Sequence, residues 1–231
     1  MKHIFIFIIS FLSVIPTAFS QEDTTVVSDS LQRVEKYGLR LGIDLYKPIK
    51  TLLDDNYSGF EIMGDFRVYK KYYFALELGN EEKTTFDDNI TSKGSGSYAK
   101  IGFDYNAHNN WGNLNNMIFV GLRYGFSGFD QELLSYSVAT HPIFGDDIRD
   151  VSVKYSGLSA HWAELIFGLK TEIFNNLYLS LNLQLKYRLN EKQPENFENL
   201  YIPGFGRTYE DSKFGVGFGY GASYLISIFN K

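Results

Sequence analysis

The chain is expected to be all-β: an eight-stranded antiparallel transmembrane β-barrel of the outer-membrane type, following a cleaved signal peptide. Three observations predict this. Apolar and polar residues alternate with a period of two in eight separate segments. No apolar run of 18 residues follows the N-terminal leader, which excludes helical membrane spans. The connections between segments alternate between short and long.

Residues 1–20 hold Lys2 and His3, an apolar run from Ile4 to Ile15, and the small-residue site Ala18-Phe19-Ser20, the layout of a signal peptide cut after Ser20. Residues 21–36 are polar and aperiodic, as in a periplasmic N-terminal tail, and residues 37–231 make up the barrel. The 231 residues include 20 Phe, 17 Tyr and 21 Gly but only 5 Pro. Mean hydropathy is nevertheless slightly negative, as it is when aromatic residues alternate with polar ones. The net charge of −5 argues against a nucleic-acid partner, and the absence of cysteine excludes disulfides and thiolate metal sites.

Each segment sets one face for lipid and one for a polar interior. In 37–46, Leu39, Leu41 and Ile43 oppose Arg40 and Asp44. In 60–68, Phe60, Ile62 and Phe66 oppose Glu61, Asp65 and Arg67, and in 72–81 Phe74, Leu76 and Leu78 oppose Glu77 and Glu81. The fourth segment sets Ile101 and Phe103 against Lys100 and Asp104, and the fifth sets Leu122 and Tyr124 against Arg123. In 161–172, Leu165, Phe167 and Leu169 oppose Glu164, Lys170 and Glu172. The seventh opposes five leucines from Leu177 to Leu185 with a polar row ending in Lys186 and Arg188. The last alternates Phe214, Val216, Phe218 and Tyr220 with glycines.

With the N-terminus periplasmic, the connections at 69–71, 108–115 and 173–176 are periplasmic and short. Those at 47–57, 82–96, 128–155 and 189–212 face outward, three of them long. Eight strands enclose only enough space for side chains. The interior therefore holds ion pairs among Arg40, Asp44, Glu61, Asp65, Arg67, Glu77, Lys100, Asp104, Arg123, Glu164, Lys170, Glu172, Lys186 and Arg188, because unpaired charge in a narrow lumen is costly. The two signs nearly cancel, which favours a plugged core over a porin-like, narrow pore.

No metal-ligand spacing, phosphate loop or other cofactor signature is found, so no cofactor is expected. Small outer-membrane barrels can act on lipid A through histidine and a carboxylate. His161 with Glu164 is the candidate pair, with His141 in the long fifth connection. Residues three apart on a strand face opposite sides, however, so His161 and Glu164 cannot share a site without a bulge. The expected function is therefore a structural or binding component, with a lipid A-modifying enzyme and a narrow pore as alternatives. In the seventh connection Phe197, Tyr201, Pro203, Phe205 and Arg207 form either a cover over the mouth or a loop contact surface for a protein partner.

The final strand, through Gly221, Tyr224, Ile226 and Phe229, resembles the segment read by the barrel-assembly machinery, though the chain ends in Asn230-Lys231. The phrases YGLRLGIDL (37–45), GFEIMGDFR (59–67), NMIFVGLRYGFS (116–127), WAELIFGLK (162–170) and NLYIPGFGRT (199–208) resemble a Bacteroidota outer-membrane family catalogued only as a domain of unknown function. The resemblance covers nearly all of the mature chain. It implies an outer-membrane location in a diderm bacterium, contact with membrane lipid and lipopolysaccharide, and no known activity. A monomer is expected.

Overall fold

The alternation produces the expected strands, and they close. In the computed structural model, residues 36–87, 89–108, 116–138, 147–195 and 197–230 are described. The leader, almost all of the tail and His141 lie outside these residues. Strands β1 (Lys36–Asp44), β2 (Tyr57–Tyr69), β3 (Tyr72–Phe86), β4 (Ile90–Asn106), β5 (Met117–Val138), β6 (Asp147–Phe174) and β7 (Leu177–Glu191) follow one another around the sheet. The two-residue strands β8 (Tyr201–Ile202) and β9 (Gly206–Arg207) pair with each other, and β10 (Phe214–Asn230) completes the ring. The order is β1-β10-β7-β6-β5-β4-β3-β2, a closed barrel with every neighbouring pair antiparallel. Closure leaves no free edge along the common girth of the sheet, so its backbone groups are satisfied by neighbours.

The period of two sorts the side chains by face. Leu122 (65 % exposed) and Leu181 (56 %) stand on the outer wall with Leu41, Ile62, Leu76, Ile101, Phe167 and Ile226. Trp162, Lys100, Glu164 and Asp104 are essentially inaccessible inside. One rim, the turn end, carries the tight connections 70–71 and 175–176. The other, the mouth, carries longer structures.

Two expectations about the connections are corrected. The segments expected as loops at 82–96 and 128–155 are largely strand. β3 and β4 continue in register to Phe86↔Thr91, and β5 and β6 pair as far as Val138↔Asp147. Cross-strand pairing continues beyond the point where the alternating residues lose hydrophobicity, because the backbone ladder does not depend on an apolar face. At about 3.3 Å per residue, the 28 residues of β6 far exceed the 9–11 that a bilayer requires. The connection at 47–57 contains a helix, α1 (Tyr46–Leu53). Pro48 falls in its first turn, where the missing N–H has no cost. The Asp44 carboxylate accepts the Lys47 N–H at 2.8 Å and starts the helix, and the Asp54 N–H closes it on the Lys50 carbonyl at 2.9 Å.

Inside, an apolar cluster of Met117, Phe119 and Ile166, with Tyr73 against it, lies toward the turn end. A second cluster of Tyr98, Phe129, Leu158, Ala160, Trp162, Ile202 and Phe205 lies toward the mouth. A charged layer occupies the space between and beside them.

Candidate functional site

The charged layer follows from register. Pairing sets Arg40 opposite Asp65, Glu77 opposite Lys100, and Glu164 between Arg123 and Lys186. Cross-strand neighbours of opposite charge on the inner face are therefore brought together by the ladder itself. Arg40 grips Asp65 with Nε and Nη2 at 2.9 and 2.8 Å, and Lys170 reaches the same carboxylate at 2.6 Å. From Lys170 the chain of contacts passes to Asp104 (3.6 Å), Arg123 (2.8 Å), Glu77 (3.2 Å) and Lys100 (2.9 Å). Lys100 also lies within 4 Å of Glu61 and Glu164. Lys47 reaches Glu61 at 3.7 Å and Lys186 reaches Glu164 at 3.7 Å. The chain ends at Glu81, 2.5 Å from Lys47. Six cations thus meet six carboxylates in one continuous network, and removing a member leaves its partners buried with less compensation.

Not every expected member belongs to this network. Arg67 sits at the turn end, where its Nε donates to the Lys70 carbonyl and its guanidinium lies 4.6 Å from the Tyr37 ring. Asp44 serves as the acceptor that starts α1. Glu172 accepts the Asn176 N–H in the β6–β7 turn at 2.9 Å, and Arg188 pairs with Glu191 at 3.1 Å near the mouth. Lys47 was missed because 47–57 read as a loop. The spacing of Tyr46, Ile49 and Leu53, with i, i+3 and i+7 on one side, was the available signal for a helix.

The segment 197–208 folds down into the mouth. Tyr201, Ile202, Pro203 and Phe205 are buried there, as in a cover over the mouth. Phe197 is half-buried against Tyr155, and Arg207 remains exposed, 3.5 Å from Asp87. The hairpin turns at Gly204 with φ +81°, and a Cβ there would lie 2.5 Å from Cγ of Tyr98, so only glycine fits. Gly215 of β10 makes room for Phe205, whose Cζ would be 2.9 Å from an added Cβ. Glu81 is the latch. Its carboxylate accepts from the Tyr201 hydroxyl (2.7 Å), the Gly204 N–H (2.8 Å), the Tyr57 hydroxyl (3.1 Å) and Lys47. Lys186 holds the same turn from the other side through the carbonyls of Gly204 (2.8 Å) and Phe205 (3.1 Å).

These contacts set the titration of the mouth groups. Burial pulls the Lys47 ammonium down, but Glu81 and Glu61 outweigh it, and its pKa ends above the ordinary lysine value. Burial and the adjacent Glu81 carboxylate hold the Tyr201 hydroxyl well above the usual tyrosine range. Lys50 is lowered, by burial first and then by the neighbouring Lys83 ammonium.

A family description, domain of unknown function (DUF6048), matches residues 1–231. The chain belongs to the DUF6048 family. Among curated proteins, none matches it. The DUF6048 barrel separates the histidine and carboxylate singled out for lipid A chemistry. His161 lies on the outer wall, its Nδ1 2.7 Å from the Tyr124 hydroxyl and its ring against Phe126. Glu164 lies inside, accepting Trp162 Nε1–H at 2.6 Å. The β6–β7 irregularity beside His161 leaves this alternation intact. No cluster of three metal-ligating side chains occurs among the described residues.

A cavity of about 420 Å³ opens beside the hairpin, bounded by α1, the upper parts of β2 and β3, the turn at Gly204, and both faces of β10 around Gly217. Its floor carries Lys47, Glu61, Glu81 and Lys186, all engaged as above. Higher up, Lys83 is tied to Asp54 at 2.7 Å. Among the described residues Lys50 makes no ion pair, and its Nζ lies 4.0 Å from the centroid of the Tyr57 ring.

Proposed function

We propose that this protein is an outer-membrane β-barrel of a diderm bacterium of the Bacteroidota, exported by the leader at 1–20. In this reading it is plugged and non-conducting, and it serves as a structural or binding component whose working surface is the mouth. The observation that carries this reading is the contrast between the two faces of one sheet. Leucine, isoleucine, phenylalanine and tyrosine cover the outside all the way round, while paired charge fills the inside. A soluble monomer rarely leaves so large an apolar surface in water, and a closed sheet is one of two structures that satisfy every backbone group in lipid.

The N-terminus and the tight turns then face the periplasm, and α1, the long hairpins and the latched cover face outward. Lipid and lipopolysaccharide are the immediate partners of the outer wall, the barrel-assembly machinery acts on the final strand during biogenesis, and a protein partner would meet the projecting hairpins. The barrel is taken as a monomer that does not engage nucleic acid. The filled lumen supports a non-conducting barrel.

The test is fractionation of cells producing the full chain, followed by planar-bilayer recording of the purified protein. The expected result is outer-membrane recovery, heat-modifiable migration and no unitary conductance. Recovery in the soluble fraction removes the membrane reading, and defined conductance steps remove the plugged one.

A further inference from the structure

The barrel wall has a notch at the mouth. β1 is the shortest wall strand and pairs with β10 only as far as Asp44↔Gly221, and with β2 only as far as Ile43↔Ile62. Above that level the 214–219 stretch of β10 has a ladder partner only in β7, and the 57–61 stretch of β2 only in β3. In place of a strand, α1 stands in the gap. It is tied to β2, where the Gly59 N–H donates to Thr51 Oγ1 at 2.9 Å, and it meets β10 through Tyr46, whose ring centroid is 4.8 Å from that of Phe218.

Two properties make this notch more than a gap. First, it lies next to the outer wall: Val216, Gly217 and Phe218 of β10 all line the mouth cavity, and Val216 and Phe218 are exposed. The outward side of α1 continues the apolar wall, with Leu52 and Leu53 more than four-fifths exposed and Ile49 beside them. Second, one cation of the cavity is left without an ion-pair partner. Five cations line it against the carboxylates of Asp44, Glu61 and Glu81, and these three already have donors. Asp54 and Asp87 answer Lys83 and Arg207 from outside the lining, and Lys50 alone of the five makes no ion pair among the described residues, with Glu81 and Asp54 attracting it only at longer range. A half-buried ammonium with a cationic neighbour and an aromatic face beneath it gains from an incoming anion.

We infer that the notch admits one anionic phospholipid sideways, its phosphate lodged in the mouth cavity against Lys50 and its acyl chains lying along Val216, Phe218 and the outer side of α1. The cavity volume falls within the range of small-ligand sites. This inference rests on the membrane reading above, because the chains need an apolar surround.

The full chain, folded in detergent, is incubated with equimolar phosphatidylglycerol and phosphatidylcholine and released for native mass spectrometry. One phosphatidylglycerol is expected to be retained about fivefold over phosphatidylcholine, whose choline cation offsets the same phosphate, the factor expected for one net anionic charge against one lysine. Lys50→Gln is expected to lose that preference and Lys50→Arg to keep it, with heat-modifiable migration unchanged in both. Equal retention of the two lipids, or a Lys50→Gln protein as selective as its parent, overturns the site. Competition by glycerol 3-phosphate as effective as that by the lipid overturns sideways admission. On Triton X-114 partition, protein that remains in the aqueous phase overturns the membrane reading, whereas protein that enters the detergent phase yet retains no anionic lipid overturns this inference alone.

Discussion

The two sides of the barrel are built differently. On one side β5 and β6, of 22 and 28 residues, pair from the turn end to well beyond the rim, and β4 follows them. On the other, β1 has 9 residues and stops below the rim, so the upper wall is completed by a helix, a hairpin cover and a cavity. The long side is held by its own ladder, with one backbone contact supporting the next. The short side depends on a few side-chain contacts converging on Glu81, Lys47 and Lys186. Local stability is therefore expected to be lower at the short side, and the groups that could meet a ligand are gathered there.

The comparison can be broken most severely from the long side. Lys100→Met on β4 leaves Glu61, Glu77 and Glu164 facing one another without their shared cation, in a site where Lys100 is 1 % exposed. A loss of about 3–5 kcal/mol is expected, seen as failure of the whole barrel to give heat-modifiable, protease-resistant protein. A variant as stable as the parent would show that the network is not what fills the lumen. Glu81→Gln, on the short side, weakens the latch by about 1–3 kcal/mol. Hydrogen exchange is expected to rise in 197–208 and stay unchanged in β4–β6, and equal acceleration on both sides would show that the two sides do not differ in local stability.

Alkaline pH should open the same side selectively. The Tyr201 hydroxyl titrates above its ordinary value in the folded mouth, whereas the released hairpin ionises near pH 10. The raised folded pKa means that its stabilisation is fully present below about pH 10 and is lost as pH rises beyond it. Protease cleavage within 197–208 is expected to rise as the pH is taken above about 10, and Tyr201→Phe should remove that step. The smallest effect is expected at Leu52, which is 85 % exposed on α1. Leu52→Ser should change stability by less than about 0.5 kcal/mol while reducing detergent bound at the rim, measured by detergent titration.

The inner row of charges was legible because strand alternation fixes a face with no knowledge of neighbours. Arg40, Asp65, Glu77, Lys100, Asp104, Arg123, Glu164, Lys170 and Lys186 all lie where alternation put them. Which carboxylate meets which cation was not legible, since that depends on register between strands as distant in sequence as β2 and β6. Arg67, Asp44, Glu172 and Arg188 share the inward phase but sit near the rims, where turn carbonyls, helix N–H groups and loop residues claim them. The Glu81 latch was invisible for the same reason: Tyr201 and Gly204 are 120 and 123 residues away.

The sequence by itself therefore determined eight strands, the face each side chain takes and the balance of charge inside, because a pleated strand sorts residues by parity alone. Only the tertiary structure decided how far the strands run beyond their apolar stretches, that 46–53 is a helix standing in a gap, and that the seventh connection is a cover. Those outcomes depend on where β1 ends relative to β10 and β2. That is a property of the closed ring, which no single segment encodes.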